Sequence, residues 1–388
     1  MYYMKLGQVP AKRHTQLLGP KGELRYEQVV TTHGFDHRYA CLYHLHPPTR
    51  VMEVVERPPQ PIELVPQKVK RHVHLRPLGL KPGGDAISGR NPLLANADVT
   101  LAICRPTEKM AYFYRPGDCD EIIFIHQGQG TLQTWQGNIP FAEGDYLVIP
   151  RGTTYRFDFS GSADPEALAR MLVIRTPSMI RLPSRYVNPA GQLRLGAPFY
   201  ERDIRPPSLL QTHEETGGPW EVRVQTGDQF TGYLFDFHPF DVVGWDGYCY
   251  PWAFNIYNYE PLAGRVHLPP PFQQTFQADR FVVCSFCPRM LEDHPQAIKV
   301  PYVHSNVDSD EVLYYVNGNF SSRRGIGVSS ITLHPSGIPH GPHPGAIEAS
   351  LKATRTEELA VMVDTFAPLQ LTTEALQCDQ ADYPMSWK

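Results

Sequence analysis

Proline is the feature that most restricts what this chain can fold into, since 38 of its 388 residues are proline. This is roughly double the average usage. Proline lacks a backbone N–H and clashes inside a helix, so long helices and helical bundles are excluded. The 30 glycines provide many further turn positions. Short strands between proline and glycine turns are typical of β-sandwiches and barrels, so the sequence predicts an all-β fold.

Charge and hydropathy narrow the possible partners. The formal charge is −4, which provides no positive field for a nucleic-acid backbone. The start of the sequence has no apolar segment of signal-peptide type, and no stretch approaches the length of a membrane span. We therefore expect a cytoplasmic protein with no nucleic-acid or membrane partner. The seven cysteines are odd in number and scattered, and we expect reduced, buried thiols, including Cys284 and Cys287.

The chain divides into four segments by composition. An N-terminal segment is polar and interrupted by prolines, and a second proline-rich segment separates two β-rich regions. The predicted segments are an arm (1–95), a first barrel (96–182), a linker (183–227) and a second barrel with a C-terminal tail (228–388). Strands predicted within the two barrels include 98–104, 121–126, 145–149 and 170–175 in the first, and 232–237, 280–285, 311–316 and 329–333 in the second.

An internal repeat relates the two β-rich regions. Asp120-Glu121 is followed by Gly128 after six intervening residues, and Asp310-Glu311 is followed by Gly318 at the same distance. Further along, a Pro-x-Gly-x-x turn ends at Tyr155 in the first copy and at His340 in the second. The repeat predicts two similar barrels in tandem.

The second copy carries a candidate metal site. His304 precedes Glu311, and His340 closes the later turn, so the copy contains two imidazoles and one carboxylate. Two histidines and one carboxylate on one face of a metal form the ligand set of non-haem Fe(II) oxygenases, with open positions for O₂ and substrate. Neighbouring antiparallel strands can bring such distant residues together, since their cross-strand Cβ atoms lie about 5 Å apart.

The first copy lacks this ligand set. Tyr114 and Pro116 stand seven and five residues before Glu121, and Tyr155 stands at the closing position. Only the carboxylate is retained, so we expect the first barrel to be metal-free and structural.

Other histidines are interpreted from their spacing. The pairs His44/His46 and His72/His74 can each share one strand face, but neither is followed by the carboxylate and glycine of the repeat, so a structural or surface role is favoured. His334 stands six residues before His340 on the same strand-turn unit. It can lie beside the metal without binding it, as a hydrogen-bond donor or proton carrier.

These motifs resemble those of a known family. The stretches that carry the resemblance are 240–247 (FDVVGWDG), 301–306 (PYVHSN), 309–311 (SDE) and 333–342 (LHPSGIPHGP). They are similar to the homogentisate 1,2-dioxygenase family of the cupin superfamily. The resemblance implies two tandem cupin-type (jelly-roll) barrels, Fe(II) bound by His304, Glu311 and His340, and His334 as the neighbouring catalytic histidine.

The chain departs from the family at two positions expected to face the substrate. Asp246 stands where the resemblance places a substrate-side histidine, and Phe320 stands where it places a tyrosine. We expect Asp246 to act as a catalytic base for a phenolic hydroxyl. Asp246, Phe320 and His340 are the predicted substrate-binding residues.

The predicted activity is Fe(II)-dependent cleavage of a hydroquinone-type aromatic acid such as homogentisate by O₂, as in tyrosine and phenylalanine catabolism. The resemblance also implies a homo-oligomer. The ligand set alone leaves open another cupin metalloenzyme, either a different aromatic dioxygenase or a Zn/Mn isomerase. A non-catalytic binding protein with two barrels is the alternative outside enzymes.

Overall fold

The computed structural model describes residues 2–160, 168–300, 302–318 and 325–388. The strands of the first half are β1 Met4–Gly7, β2 Tyr26–Thr31, β3 Tyr39–His44, β4 Glu53–Arg57, β5 Leu64–Val65, β6 Val73–Leu75, β7 Arg90–Ala95, β8 Thr100–Cys104, β9 Phe113–Pro116, β10 Asp120–Gln127, β11 Gly130–Thr134, β12 Ile139–Phe141, β13 Asp145–Ile149, β14 Tyr155–Phe159 and β15 Arg170–Thr176.

The second half of the chain also consists mainly of short strands. Its strands are β16 Ile204–Arg205, β17 Thr216–Thr226, β18 Gln229–Phe237, β19 Val242–Gly247, β20 Trp252–Asn255, β21 Gln274–Gln277, β22 Phe281–Phe286, β23 Arg289–Met290, β24 Asp310–Asn317, β25 Ile331–His334, β26 Arg355–Thr356, β27 Leu359–Thr365 and β28 Gln370–Thr372. The α-helices are α1 Ala346–Ser350 and α2 Thr373–Leu376. None of the described helices has the length and hydropathy needed to cross a membrane. The predicted all-β fold is confirmed.

The first barrel is formed by two facing sheets. A nine-stranded sheet runs β16-β20-β13-β10-β15-β8-β7-β28-β5, and a seven-stranded sheet runs β12-β11-β14-β9-β17-β18-β4. Ile123 and Val173 of the first sheet pack in one apolar core with Leu132 and Phe157 of the second. This core is closed by side chains alone, as expected for a small barrel.

The second barrel contains a six-stranded sheet in the order β21-β22-β27-β24-β25-β6. The central strand β24 pairs with β25 and with β27, and both pairings are antiparallel. On one face of this sheet Leu313, Tyr315 and Met362 form a small apolar cluster. The same face carries Glu311, two residues before Leu313, because alternate side chains of a strand point to the same side.

The two barrels pack back to back through the strands of the repeat. On β10, Glu121 and Ile123 point into the first barrel, while Ile122 and Phe124 belong to a large core that also contains Val312 of β24. Both faces of each strand are therefore buried. This explains why the sequences after Asp120 and Asp310 are almost continuously apolar rather than alternating.

Strand pairing departs from the segment boundaries read from composition. Residues 216–226, within the range predicted as a linker, form β17, which pairs with β9 and with β18. Strand β20, within the range predicted for the second barrel, pairs with β13 of the first. From the predicted arm, β6 joins the second barrel and β7 joins the first. Strands β6 and β20 are short, and the strands with which they pair are distant in sequence, so local composition contains little information about their pairing.

Candidate metal centre

The three predicted ligands converge at one end of the second barrel. Glu311 lies near the start of β24, and His304 and His340 face each other in an isolated antiparallel bridge. The backbone N–H of each histidine donates to the carbonyl oxygen of the other at 2.9 Å. One ligand atom from each of the three residues lies within 4.8 Å of the others. The sequence-predicted triad is thus brought together.

A glycine permits the close approach of the two histidine segments. A Cβ atom on Gly341 would lie 2.8 Å from Cα of Val303, which is closer than side-chain atoms normally come. The turn before His340 also needs glycine, since Gly337 has a φ of 80°. The Pro-x-Gly-x-x-His-Gly sequence therefore sets the geometry of the bridge.

The imidazole rings are oriented by backbone carbonyls. Nδ1 of His304 lies 3.2 Å from the carbonyl oxygen of Tyr302, and Nδ1 of His340 lies 3.2 Å from that of Ile338. Such contacts leave Nε2 as the ligand atom. The Nε2 atoms lie 3.4 Å (His304) and 3.3 Å (His340) from carboxylate oxygens of Glu311.

The triad has the chemistry of a metal site. Nε2 of His340 is buried, and its contact with a carboxylate oxygen of Glu311, at 3.3 Å, is not a well-formed hydrogen bond; a poorly satisfied buried polar atom is costly unless something binds it. Burial by itself raises the pKa of Glu311, but the neighbouring imidazoles of His304, His334 and His340 hold that pKa well below its usual range. A deprotonated carboxylate and two oriented imidazoles fit a divalent transition metal.

A second carboxylate lies beside the triad. Asp364 pairs with Glu311 across β24 and β27 and is half-buried. Burial, and then the charge of Glu311, raise the pKa of Asp364 well above its usual range. The charge of Glu311 therefore opposes ionisation of Asp364.

A cavity of about 420 Å³ opens onto His304 and Glu311 of the triad, and this volume is within the usual size range for small-molecule sites. His340, which was also predicted to bind substrate, is not among the described residues that line it. Its apolar walls include Phe286, Leu313 and Met362. The residues that line it are His267, Pro269, Pro270, Pro271, Gln273, Phe286, Arg289, Tyr302, His304, Ser305, Asn306, Glu311, Leu313, Tyr315, Gly341, Pro342, Glu358, Met362 and Asp364. Arg289 is the one arginine or lysine in this set of described residues.

His267 is a cavity residue that the sequence analysis missed. Its Nδ1 lies 3.0 Å from Oε1 of Glu292, and its ring packs edge-on against Tyr302 with centroids 5.3 Å apart. The contact with Glu292 fixes the ring and leaves Nε2 available to a molecule in the cavity. His267 stands alone before three prolines, without the spacing to a carboxylate that drew attention to the other histidines.

His334 lies behind Glu311 rather than in the cavity. Its Nδ1 is 2.9 Å from Oε1 of Glu311, its ring stacks on His340 with centroids 4.4 Å apart, and its side chain is fully buried. It is not among the described residues that line the cavity. We therefore assign His334 a positioning role on Glu311 and His340, instead of the direct proton transfer predicted from the sequence.

Aromatic side chains from both ends of the described chain support His334. The ring of His72 lies 5.4 Å from that of His334 and 5.1 Å from that of Trp387. The hydroxyl of Tyr383 lies 3.4 Å from Nε2 of His334. The sequence assigned His72 to a structural or surface role, and nothing in its spacing indicated that it would pack beside the metal centre.

The structure does not bring Asp246, another predicted site residue, to the cavity. Asp246 lies on β19, where it pairs with Lys5 and Cys41 and accepts a hydrogen bond from the hydroxyl of Tyr3 at 2.9 Å. It is absent from the cavity lining as far as the described residues show, because β19 belongs to a separate sheet in the order β1-β19-β3-β2. Phe320 lies outside the described residues.

The other predicted structural features have clear positions. Tyr302 and Tyr315 line the cavity, whereas Tyr314 points toward the first barrel, where its hydroxyl lies 2.6 Å from Nδ1 of His126. His44 and His46 both contact the buried Asp241. Cys284 and Cys287 are buried free thiols, as predicted.

In the first barrel, a guanidinium neutralises the equivalent carboxylate. Nη1 of Arg90 lies 2.6 Å from Oε1 of Glu121, and the hydroxyl of Tyr155 donates to Oε2 at 2.6 Å. The hydroxyl of Tyr114 lies 3.3 Å from Oε1. Burial alone raises the pKa of Glu121, but Arg90 and Arg175 hold it below its usual range. The ligand positions are thus filled by two tyrosines and an ion pair.

The chain is similar to known proteins over its whole length. The family description "Homogentisate 1,2-dioxygenase N-terminal" matches residues 84–256, and "Homogentisate 1,2-dioxygenase C-terminal" matches residues 270–388. The chain is 40% identical over 390 residues to a protein of Saccharolobus solfataricus named "putative dioxygenase", with 100% of this chain and 99% of that protein covered.

Relatives named homogentisate 1,2-dioxygenase are more distant. The Bradyrhizobium diazoefficiens protein is 26% identical over 71% of this chain and 62% of its own length, and the Pseudomonas putida protein is 25% identical over 78% and 72%. Among solved structures, a cupin 2 conserved barrel domain protein from Leptotrichia buccalis is similar, with a TM-score of 0.33, 9% identity, and coverage of 77% of this chain and 99% of that one. The chain belongs to the homogentisate 1,2-dioxygenase family, a family of ring-cleaving dioxygenases.

Proposed function

We propose that this chain is an Fe(II)-dependent dioxygenase that opens the ring of a hydroquinone-type aromatic acid such as homogentisate. The observation that carries the proposal is the convergence of His304, Glu311 and His340, whose ligand atoms lie within 4.8 Å of one another, with His304 and Glu311 lining a cavity. Bound Fe(II) would supply a Lewis acid with open positions for O₂ and a phenolic oxygen. The family membership favours this reaction over other activities of the same ligand set.

Arg289 is the residue we assign to the substrate's carboxylate. It lies on β23, where its Nη1 donates to the carbonyl oxygen of Cys287 at 3.3 Å and its guanidinium lies 5.8 Å from the ring centre of Phe286. These contacts hold the cation at the cavity wall. An arginine recognises a carboxylate through paired, charge-assisted hydrogen bonds.

His267 is the residue we assign to proton transfer at a ring hydroxyl. Nδ1 is engaged by Glu292, so Nε2 can accept a proton from the substrate while the carboxylate stabilises the resulting imidazolium. Phe286, Leu313 and Met362 provide apolar surface against the aromatic ring and exclude water from it. Asp246 has no part in this scheme.

The proposal is tested with anaerobically purified protein loaded with Fe(II). We expect O₂ uptake with homogentisate, formation of a ring-opened product, and about one iron per chain. His304→Ala should abolish both iron binding and O₂ uptake, whereas His294→Asn, outside the cavity lining, should affect neither. Stoichiometric zinc, with no O₂ uptake by any hydroquinone acid after iron loading, would contradict the proposal.

The assigned residues are tested separately. Arg289→Met should raise KM for homogentisate about 10- to 150-fold, since a hydrogen bond to a charged group contributes about 1.5–3 kcal/mol. The same change should leave KM for 2-methylhydroquinone, which lacks a carboxylate, within about twofold. His267→Asn should lower kcat by about 10²-fold or more. If Asp246→Asn removes activity and His267→Asn does not, the assignment of the base is wrong.

A further inference from the structure

The peptide groups on either side of His340 are held by side chains from two distant parts of the chain. The carbonyl oxygen of Pro339 lies 3.0 Å from Nε2 of His72. The carbonyl oxygen of Gly341 accepts a hydrogen bond from the indole N–H of Trp387 at 3.2 Å. His340 is therefore fixed from both sides, in addition to the backbone bridge that joins it to the other histidine of the triad.

The position of His72 follows from strand pairing. His72 immediately precedes β6, which pairs antiparallel with β25, the strand that ends at His334. The imidazole of His72 is buried, with its ring centre 5.4 Å from that of His334 and 5.9 Å from that of His340. Because a carbonyl oxygen can only accept a hydrogen bond, Nε2 of His72 carries the proton that it donates to Pro339.

The C-terminal segment is anchored on the same strand. The backbone N–H of Gln380 donates to the carbonyl oxygen of His74 on β6 at 2.8 Å. Asp379 forms an ion pair with Arg71, which lies just before this strand. The segment that carries Trp387 is thus attached to the strand that places His72 beside the triad.

Packing fixes the direction of the indole N–H. The ring of Trp387 lies 5.1 Å from that of His72 and 5.2 Å from that of Tyr383, measured between centroids. Its third neighbour is His343, which it meets edge-on at 4.5 Å. Contacts with three rings leave the side chain little rotational freedom, so its N–H stays directed at Gly341.

We propose that His72 and Trp387 are positioning residues of the metal centre. They hold the backbone of His340 where its imidazole can bind a metal together with His304 and Glu311. Neither is among the described residues that line the cavity, so they act through the ligand and not on the substrate. Groups that orient a metal ligand typically contribute about 10- to 100-fold to metal affinity. The proposal rests on the proposed metal site but not on the identity of the substrate.

The test is titration of the metal-free full chain with Co(II), a spectroscopic substitute for Fe(II), followed by visible absorption. Trp387→Phe keeps an aromatic ring and removes the N–H donor, so it should weaken Co(II) binding about 10- to 100-fold. The matched control Trp220→Phe, on β17 of the first barrel, should leave the affinity unchanged. His304→Ala should abolish the absorption bands, which identifies them with the triad.

The second residue is tested in the same way. His72→Phe keeps a ring and loses the donor to Pro339, so it should weaken Co(II) binding as Trp387→Phe does. His72→Gln keeps an N–H donor at a similar reach, and it should restore most of the affinity.

The absorption bands at saturating Co(II) separate positioning from simple loss of stability. A destabilised protein with an unaltered site shows the parent's bands once it is saturated, whereas a displaced His340 changes the coordination and the bands. We expect altered bands in Trp387→Phe and His72→Phe. The proposal is overturned if these variants keep the parent's Co(II) affinity or, at saturation, its bands. Failure of the parent itself to bind Co(II) would overturn the proposed function as well.

Discussion

The contact between the two barrels predicts a measurable sensitivity to acid. His126 of β10 lies with its Nδ1 2.6 Å from the hydroxyl of Tyr314 on β24. Burial, and then the charge of Arg170, lower the pKa of His126 to about 3, compared with about 6.5 for an unfolded histidine. The folded protein therefore holds this imidazole neutral at pH values where the unfolded chain protonates it.

The sign and size of the change in the free energy of unfolding follow from proton linkage. Between pH 6.5 and pH 3 the unfolded state binds the additional proton, so the free energy of unfolding falls as the pH falls. A shift from about 6.5 to about 3 removes about 2 kcal/mol between pH 8 and pH 5, and further acidification removes more until the folded protein is protonated near pH 3. A pKa shift of His126 that is smaller by about one unit gives nearly the same loss of unfolding free energy at pH 5.

The assay is urea unfolding at pH 8, 7, 6 and 5, with His126→Gln compared with the parent protein. Glutamine keeps a hydrogen-bonding group beside Tyr314 but cannot titrate. We expect the variant to lose about 2 kcal/mol less than the parent over this range. His33→Asn, on an exposed turn, is the control. The reasoning is refuted if His126→Gln and the parent lose the same stability within about 0.5 kcal/mol.

Two further predictions concern the repeat itself. Arg90→Met leaves Glu121 buried without its nearest charge partner and should lower the free energy of unfolding by about 3–5 kcal/mol. The double variant with Glu121→Gln should regain part of this lost stability. A loss below about 1 kcal/mol for Arg90→Met alone would show that Arg175 compensates. Gly128 and Gly318 have φ values of 105° and 98°, so alanine should destabilise both by about 1–2 kcal/mol. Gly318→Ala should lower the stability more than Gly128→Ala. The new Cβ at position 318 would lie 2.1 Å from the carbonyl oxygen of Glu357, whereas the new Cβ at position 128 would lie 3.2 Å from Cβ of Ala169. Equal unfolding midpoints for the two variants would contradict this prediction.

The parts of the molecule that could be predicted from sequence are those with a local or repeated pattern. The strand predicted at 145–149 forms as β13 over the same residues, and the predicted 311–316 lies within β24. The triad was predictable because the repeat supplies an internal comparison, in which the histidines appear in one copy alone.

The parts that could not be predicted depend on contacts between residues far apart in the chain. Arg90 precedes Glu121 by 31 residues and lies in a segment read as an arm, so nothing marked it as the carboxylate's partner. His267 lies in a loop, where no periodicity predicts which way a side chain points. Asp246 was assigned by motif similarity, and the pairing of β19 with β1 and β3 places it elsewhere.

The residues that pack against His334 also determine when, during synthesis of the chain, the candidate metal site can become rigid. All three ligands lie between residues 304 and 340, but His334 is packed by His72 and Tyr383, which lie far apart in the chain. Contacts over such separations form slowly, because the intervening chain must first be ordered. During synthesis the chain folds from its N-terminus, so residues 304–340 emerge before Tyr383 and Trp387. A nascent chain thus contains the three residues of the triad before Tyr383 can support His334, so we expect the triad to bind a metal firmly only after these later residues have folded.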